Sequence, residues 1–324
     1  MRISIAMPTY KRLPFLKKAV ADVLAQTWTD WELVISDDEV DEGETWTYLM
    51  DLAKTDARIK ILKNMRGKHG QIYNVNSALS ACTGDWIKPF FDDDRMLPNC
   101  LEDLISVATS EMATRENVVM VGCRAQKWRN GVHVGDDENF TKHPIEIIPQ
   151  DQVLKAMCLL DNWNGRTPTH MLMRGDIVRS GATMVENTEF KHPIDVRWFG
   201  RILEHGAFAM TDKVLVCECQ GEVASGTSEL WKEEAFVTDE LRRVYCDEIW
   251  ERATKDKSWP SKRTVDGIVS GVRGIYMLKI GQNANAFKCV LRTAVIPSAW
   301  SKVIKWCLRK SSPGAYAATK RVYA

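Results

Sequence analysis

The fold is decided by the segment Ile87-Lys88-Pro89-Phe90-Phe91-Asp92-Asp93-Asp94-Arg95-Met96-Leu97-Pro98. Its largely apolar beginning predicts a strand that enters a buried sheet, and its end carries three consecutive carboxylates before a proline that a strand cannot pass through. Extended backbone would direct Asp92 and Asp94 to one side and Asp93 to the other. We therefore expect a carboxylate cluster at the carboxyl end of a buried strand.

Two interpretations of this cluster remain open. Converging carboxylates repel each other unless a cation lies between them, and a hard divalent ion such as Mg²⁺ or Mn²⁺ would be its natural occupant. Such ions commonly bridge protein carboxylates to substrate phosphates. The alternative is a solvated acidic turn that caps a helix beginning near Asn99. This segment alone favours neither interpretation.

Charge is unevenly distributed along the chain. With 324 residues and 45% apolar content, the chain can bury a substantial core. The formal net charge is +1, yet no acidic residue follows Asp266, while ten lysines and arginines do, leaving −9 on the first 266 residues. An acidic body with a basic tail predicts that the tail meets something anionic.

The sequence predicts a cytoplasmic protein. Its nine cysteines are scattered and lack the paired spacing of a metal site, which is typical of reduced thiols. The first apolar stretch is interrupted at Pro8, so it is too short for a signal peptide. There is no uninterrupted apolar run of about 18 residues, so no transmembrane helix is expected.

Alternating strand and helix patterns predict an α/β domain. Strands are expected over 3–7, 31–36 and 59–62, and helices over 13–26, 44–55 and 72–82, with Gly84 as the stop signal of the last helix.

In open parallel sheets, ligands bind beyond the carboxyl ends of the strands. Three polar groups follow successive strands there: Thr9-Tyr10, Asp37-Asp38 and Asp92 to Asp94. Neither a G-x-G-x-x-G motif after the first strand nor a P-loop is present, so a metal is expected to hold the phosphates.

Several sequence blocks resemble family 2 glycosyltransferases in order and approximate spacing, over roughly residues 1 to 230. The blocks are Met7-Pro8-Thr9-Tyr10-Lys11-Arg12, Gln26-Thr27-Trp28, Leu33-Val34-Ile35-Ser36-Asp37-Asp38, Asn76-Ser77-Ala78-Leu79, Gly84-Asp85-Trp86-Ile87 and the acidic segment up to Leu97-Pro98. Their combination is much more specific than any single block.

The resemblance implies a GT-A fold, a mainly parallel sheet flanked by helices. Its nucleotide-sugar-binding half would span residues 1–98 and its acceptor-binding half 99–235. Beyond them, the sequence pattern itself predicts a helical region with a basic tail over 236–324. The implied activity is metal-dependent and inverting: a sugar moves from a nucleoside diphosphate, with UDP as the first expectation, to a hydroxyl of a glycan or lipid-linked acceptor in surface polysaccharide synthesis. The implied cofactor is Mn²⁺ or Mg²⁺, and no nucleic-acid partner is expected.

The resemblance also implies a set of donor-site residues. By position, Pro8, Thr9 and Tyr10 would line the base pocket, and Asp38 would accept a hydrogen bond from the base. Arg66 would lie against the base or diphosphate, and Asp92 to Asp94 would hold the ribose and the metal, with Asp92 and Asp93 as donor contacts and Asp92 and Asp94 at the ion. The family often has D-x-D-D, but Phe91 stands where the first acid would be. Which two of the three aspartates touch the ion is therefore open.

The acceptor half supplies a candidate general base. An inverting transfer needs a carboxylate to deprotonate the attacking hydroxyl. By resemblance this is Asp195, with Glu189 as the fallback because Ile194 replaces the usual glutamate neighbour. The alternative is that Asp195 only caps a helix. His170, beside apolar residues, is expected in the core, and Trp198 either stacks on a sugar or belongs to the core.

Two other functions would fit parts of this pattern. A nucleotidyltransferase that makes activated sugars would share the sheet and metal, but residues 7–12 lack its glycine-rich basic signature. A non-catalytic sugar-nucleotide-binding module is the other alternative, and retention of all the acids argues against it.

The basic tail also has two interpretations. Residues 284–310 have a helical pattern broken at Pro297, in which apolar and tryptophan residues alternate with lysines and arginines. Such a helix fits the headgroup layer of an anionic membrane, here the inner face of the cell membrane. The alternative is a helical pair packed on the acidic body.

Overall fold

The computed structural model describes residues 1–64, 68–137, 141, 143–158, 167–184, 194–220, 261–279, 283–301 and 303–304. These residues fall into two compact units. The first comprises Met1–Gln150, Gly165–Glu186 and Ile194–Ser225, and the second comprises the remaining segments. The acid cluster and Asp195 both lie in the first unit.

The first half of this unit alternates strands and helices. Its elements are β1 (Ile3–Thr9), α1 (Leu13–Leu24), β2 (Trp31–Asp37), α2 (Glu44–Thr55), β3 (Ile59–Lys63), α3 (Gln71–Ser80) and β4 (Trp86–Pro89). The four strands pair in parallel in the order β3-β2-β1-β4, so their carboxyl ends share one edge. The α/β class predicted from the sequence is confirmed.

The second half extends the same sheet. Its elements are β5 (Arg95–Met96), α4 (Cys100–Ala108), α5 (Glu111–Arg115), β6 (Val118–Arg129), β7 (Val132–Asp136), β8 (Ile145–Ile148), α6 (Gln150–Cys158), β9 (Met171–Arg174), α7 (Gly175–Arg179), α8 (Ile194–Leu203) and β10 (Ala207–Gln220). The ten strands of the described residues follow the order β3-β2-β1-β4-β9-β6-β10-β5, with β7 beside β6 and β8 beside β10. Strand β9 is antiparallel to both β4 and β6, whereas β10 is parallel to β6.

Helix α1 shows why the first helices pack on the sheet. Its buried residues recur at the spacing of one helical face, and they are Leu16, Ala19, Val20 and Val23. Pro14 lies in the first turn, where its missing N–H costs no hydrogen bond. The helix ends at Leu24, two residues before the predicted end.

Gly84 has a different role from the predicted one. Helix α3 ends at Ser80, before the expected Cys82, and its C-cap is Ala81. A Cβ atom on Gly84 would lie 2.6 Å from the Ser4 backbone nitrogen. The glycine is therefore required because the backbone of β1 passes so close, and not as a helix stop.

A buried glutamate ties the first strands together. Glu32 on β2 accepts hydrogen bonds from Ser4 Oγ at 2.5 Å, Thr83 N at 2.6 Å and Lys60 Nζ at 2.6 Å. Burial by itself would raise the pKa of Glu32, but these hydrogen bonds lower it from 4.5 to about 2. The carboxylate thus stabilises the fold in its ionised form.

We expect Glu32→Gln to lower the free energy of unfolding by about 2 kcal/mol, because a charge-assisted network loses its acceptor. Since the folded-state pKa is depressed, the wild-type stabilisation is present above about pH 4.5 and is lost as the pH falls towards 2. Urea unfolding of both proteins between these pH values measures the difference. Glu116→Gln, on the surface beside Arg115, is the control; equal stability of all three proteins at pH 7 would contradict the assignment.

The second unit contains a helical hairpin. Helix α9 (Lys262–Lys279) packs on α10 (Asn283–Ala294), and the chain is helical again from residue 297. The Thr293 hydroxyl donates to the Gly267 carbonyl at 2.9 Å, and the Ser270 hydroxyl donates to the Cys289 carbonyl at 3.0 Å. No helix among the described residues has both the length and the apolar character needed to cross a membrane.

Candidate active site

The three aspartates lie in a turn and not on an extended strand. Strand β4 ends at Pro89, and the Asp94 N–H donates to the Phe91 carbonyl at 3.2 Å. Arg12 Nη1 donates to Asp92 Oδ1 at 3.3 Å and to Asp93 Oδ2 at 2.8 Å. The expectation that Asp93 faces away from Asp92 is therefore wrong, because the turn brings both carboxylates to one guanidinium.

Arg12 and Thr9 join the acids to the end of β1. The Thr9 hydroxyl donates to Asp92 Oδ2 at 2.7 Å. Arg12 is the N-cap of α1, where its carbonyl accepts from Phe15 N and Leu16 N. Lys11 between them has a left-handed φ of 51°, which turns the chain sharply after the strand. The sequence places Arg12 in a family block but gives no sign that it contacts the acids.

Burial and the neighbouring charge of Asp93 raise the pKa values of Asp92 and Asp94. Burial, followed by the neighbouring charge of Asp93, raises the pKa of Asp92 to about 6 despite the hydrogen bonds from Thr9 and Arg12. The same two causes raise the pKa of Asp94 to about 8 despite hydrogen bonds from Thr169 and Cys219. A cation at this position would relieve the repulsion.

Asp94 is oriented by donors from two later segments of the chain. The Cys219 backbone N–H donates to Asp94 Oδ1 at 3.2 Å, and the Thr169 hydroxyl forms the second hydrogen bond. Strands β5 and β10 are antiparallel, with Cys217 opposite Arg95. This pairing brings Glu218 near Asp94, where its charge further raises the pKa of Asp94.

The other predicted donor residues surround the end of β1. Pro8 is partly buried within β1, while the Tyr10 side chain is 51% exposed and available for stacking. Asp38 is buried and accepts from Asn64 Nδ2 at 2.6 Å and from Gly70 N at 2.7 Å. The Asp38 carboxylate therefore already accepts hydrogen bonds from the protein itself. The sequence gives no sign of these contacts. Arg66 lies outside the described residues.

Asp195 lies in the first turn of α8. It is partly buried, and burial raises its pKa to about 6. The helix is anchored because Trp198 Nε1 donates to the Ala182 carbonyl at 2.9 Å and Arg201 Nη2 donates to the Gly181 carbonyl at 2.7 Å. Asp195 therefore projects from a fixed helix, although its catalytic role stays a prediction. Glu189 lies outside the described residues.

Two residues with open roles belong to the core. Trp198 is fully buried and stacks on Phe199, so it is not exposed to stack on a sugar. His170 is also fully buried, as expected, and lies between two carboxylates: Nδ1 is 3.6 Å from Asp137 Oδ2 and Nε2 is 3.9 Å from Glu218 Oε2.

The donor set suits a hard divalent ion that shares its ligands with a diphosphate. Among the described residues, no three histidine, cysteine, aspartate or glutamate side chains are arranged to hold a metal by themselves. Carboxylate oxygens are the preferred ligands of Mg²⁺ and Mn²⁺, which often take their remaining ligands from phosphates and water. Asp94 fits this role better than Asp92, since Asp92 already forms an ion pair with Arg12, whereas the donors to Asp94 are the neutral Thr169 hydroxyl and Cys219 N–H.

The fold is GT-A, the class of nucleotide-sugar transferase domains. A structure of S. aureus TarS 1-349 in complex with UDP-GlcNAc aligns with a TM-score of 0.56 at 13% identity, covering 89% of this chain and 90% of that one. Mannosyltransferase PcManGT from Pyrobaculum calidifontis, in complex with GDP-Man and Mn²⁺, aligns with a TM-score of 0.53 at 15% identity, covering 99% and 84%. These similarities establish the fold alone.

The chain belongs to glycosyl transferase family 2, because the sequence model of that family matches residues 4–179. This family consists of enzymes that transfer sugars (EC 2.4). A relative from Campylobacter jejuni, GalNAc(5)-diNAcBac-PP-undecaprenol beta-1,3-glucosyltransferase, is 31% identical over 112 residues, which is 35% of this chain. The chain spans only 36% of that relative's length. The resemblance inferred from the sequence blocks is confirmed.

Proposed function

We propose that the protein transfers a sugar from a nucleoside diphosphate, with UDP as the first choice, to a hydroxyl of a glycan or lipid-linked acceptor, with inversion at the anomeric carbon. The observation that carries this proposal is the acid turn at the common carboxyl edge of β1 and β4. There Asp92 and Asp93 share Arg12, and Asp94 is oriented by Thr169 and Cys219. Ligands of open parallel sheets bind at this edge.

The donor would lie across the end of β1. The exposed Tyr10 ring and partly buried Pro8 are proposed to contact the base beside Asp38, while Asp92 and Asp93 accept hydrogen bonds from the ribose. Thr9 holds Asp92 in place for this contact. Arg66 is proposed to contact the base or diphosphate.

Asp94, with Asp92 as the second candidate, is proposed to hold Mn²⁺ or Mg²⁺. When bound, the ion would neutralise negative charge on the departing diphosphate. The Asp94 carboxylate is suited to this role because the hydrogen bonds from Thr169 and Cys219 fix its orientation.

Asp195 is proposed as the general base. In a single displacement, the acceptor oxygen bonds to the anomeric carbon, the bond to the diphosphate breaks on the opposite face, and the acceptor proton passes to the carboxylate. A pKa of about 6 makes Asp195 a stronger base than an ordinary aspartate while leaving it largely ionised at neutral pH.

A panel of nucleoside diphosphates with and without Mn²⁺ tests the donor site. We expect UDP with Mn²⁺ to raise Tm by about 5 °C at ~100 times its Kd, and neither component alone to do so. A response to GDP in place of UDP would reassign the base. No response to any nucleoside diphosphate would overturn the donor-site proposal.

The acceptor is proposed to be lipid-linked, with the protein peripheral to the cytoplasmic face of the cell membrane. One support is the Campylobacter relative, whose name specifies an undecaprenol-linked substrate. The other is a surface of the helical hairpin, here called the α10 face and consisting of Phe287, Leu291 and Val295, which are 65%, 51% and 64% exposed.

The α10 face has the character of a membrane-binding surface. Its three residues are spaced four apart, so they form one stripe, and buried Cys289 and Thr293 lie on the side towards α9. Exposed Lys288 and Arg292 flank the stripe. Apolar groups beside unopposed positive charge favour an anionic bilayer surface.

Sedimentation with vesicles tests this surface. We expect the full chain to pellet with phosphatidylglycerol vesicles at low salt but not with phosphatidylcholine vesicles, since each engaged lysine or arginine contributes about 1 kcal/mol. Phe287→Ser with Leu291→Ser should abolish pelleting. The matched control is Val132→Ser with Val134→Ser, which are 62% and 56% exposed on β7. A wild-type chain that stays in the supernatant would refute membrane binding.

A further inference from the structure

Lys88 is a buried charge that the proposed reaction does not use. It lies on β4, four residues before Asp92, and its side chain is fully buried. Its ammonium group donates a hydrogen bond to the Thr169 carbonyl. Burying an ammonium group is costly, and an apolar residue of similar volume is often tolerated as well or better. Stability alone therefore does not explain a lysine at this position.

Thr169 connects this lysine to the acid turn. It is fully buried in the short helical turn Pro168–His170, directly before β9. Its hydroxyl oxygen accepts from the Phe91 N–H at 3.4 Å, and the same hydroxyl forms a hydrogen bond with Asp94. Because Phe91 supplies a donor, the hydroxyl proton is directed to the carboxylate. Lys88 thus binds the carbonyl of Thr169, and the hydroxyl of Thr169 binds Asp94.

We infer that Lys88 and Thr169 are positioning residues that fix the Asp94 carboxylate for a divalent ion. The Thr169 hydroxyl and the Cys219 N–H restrain the carboxylate from two different segments, and the ammonium group fixes the Thr169 backbone. Donors behind a carboxylate ligand set its orientation, and losing one typically weakens metal binding by about 10–100-fold. This inference rests on the proposed function only in taking Asp94 as the ligand.

Binding of Mn²⁺ to the full chain with UDP present tests this inference, with free Mn²⁺ measured by electron paramagnetic resonance. We expect Thr169→Val to raise the Mn²⁺ Kd by about 10–100-fold and Thr169→Ser, which keeps the hydroxyl, to restore it. Lys88→Met should weaken Mn²⁺ binding about tenfold. The matched control is Thr211→Val, a buried threonine on β10 whose hydroxyl accepts from the Lys213 N–H, and it should bind Mn²⁺ like the wild type.

Comparison with Asp94→Ala separates failure of the inference from failure of the proposed site. If Asp94→Ala loses Mn²⁺ binding while Thr169→Val binds normally, the positioning role is refuted and the metal site stands. If neither the wild type nor any variant binds Mn²⁺, the metal site itself is refuted, and this inference with it. Normal Mn²⁺ binding by Lys88→Met would remove Lys88 from the positioning role. If that variant does not fold, the Thr169→Val and Thr169→Ser pair still decides whether Thr169 positions Asp94.

Discussion

Asp195→Asn is expected to lower kcat by about 10³-fold while leaving metal-dependent UDP binding intact. The amide cannot accept the acceptor proton, and general base catalysis typically contributes 10²- to 10⁴-fold. Steady-state transfer to a short-chain prenyl-diphosphate sugar measures kcat, and calorimetry measures UDP binding. Asp176→Asn, which alters an ion pair with Arg174 on the surface, should leave both unchanged. Full activity in Asp195→Asn would move the base elsewhere, first to Glu189.

The pH dependence of the wild type gives the same assignment a second readout. Burial raises the pKa of Asp195 to about 6, so the carboxylate is ionised above that pH and protonated below it. Only the ionised form accepts a proton, and kcat should therefore fall as the pH drops below about 6. With saturating donor and Mn²⁺, which keep Asp92 and Asp94 ionised, the residual activity of Asp195→Asn should lack this fall. A wild-type profile flat down to pH 5 would contradict a role for Asp195.

The fold was largely predictable because its signals are local. The helix over 44–55 has the predicted bounds, and β1 and β2 extend only slightly beyond their predicted ends. Gly84 was misinterpreted because a glycine that ends a helix and a glycine that lets another strand pass close look identical in sequence. The difference lies in Ser4, whose backbone is 80 positions away.

The candidate site was predictable in its acids and not in its supporting contacts. The parallel topology places Thr9 and Asp92 at one edge, and the predicted grouping follows from that rule alone. The contact of Arg12 with Asp92 and Asp93 depends on the geometry of the acid turn. The contact of Thr169 with Asp94 depends on the pairing of strands that are far apart in the sequence. The sequence gives no role to Lys88, because its hydrogen bond to the Thr169 carbonyl joins positions 81 apart.

Asp94→Ala is expected to weaken metal and donor binding together. Removing a carboxylate that touches the ion should cost at least as much as removing an outer hydrogen bond, so the Mn²⁺ Kd should rise by about 100-fold or more. UDP should then bind no better with Mn²⁺ than without it. Asp103→Ala, which removes the partner of Lys213, is the control for loss of an aspartate and should bind normally.

The comparison between Asp94→Ala and Asp92→Ala then decides which acids touch the ion. Asp92 already forms an ion pair with Arg12, whereas the donors to Asp94 are the neutral Thr169 hydroxyl and Cys219 N–H. We therefore expect Asp92→Ala to weaken UDP binding while changing the Mn²⁺ Kd less than Asp94→Ala does. Equal loss of Mn²⁺ binding in both variants would make them joint ligands and would require Arg12 to leave Asp92 when the ion binds. An unchanged metal dependence in Asp94→Ala would contradict its assignment as a ligand.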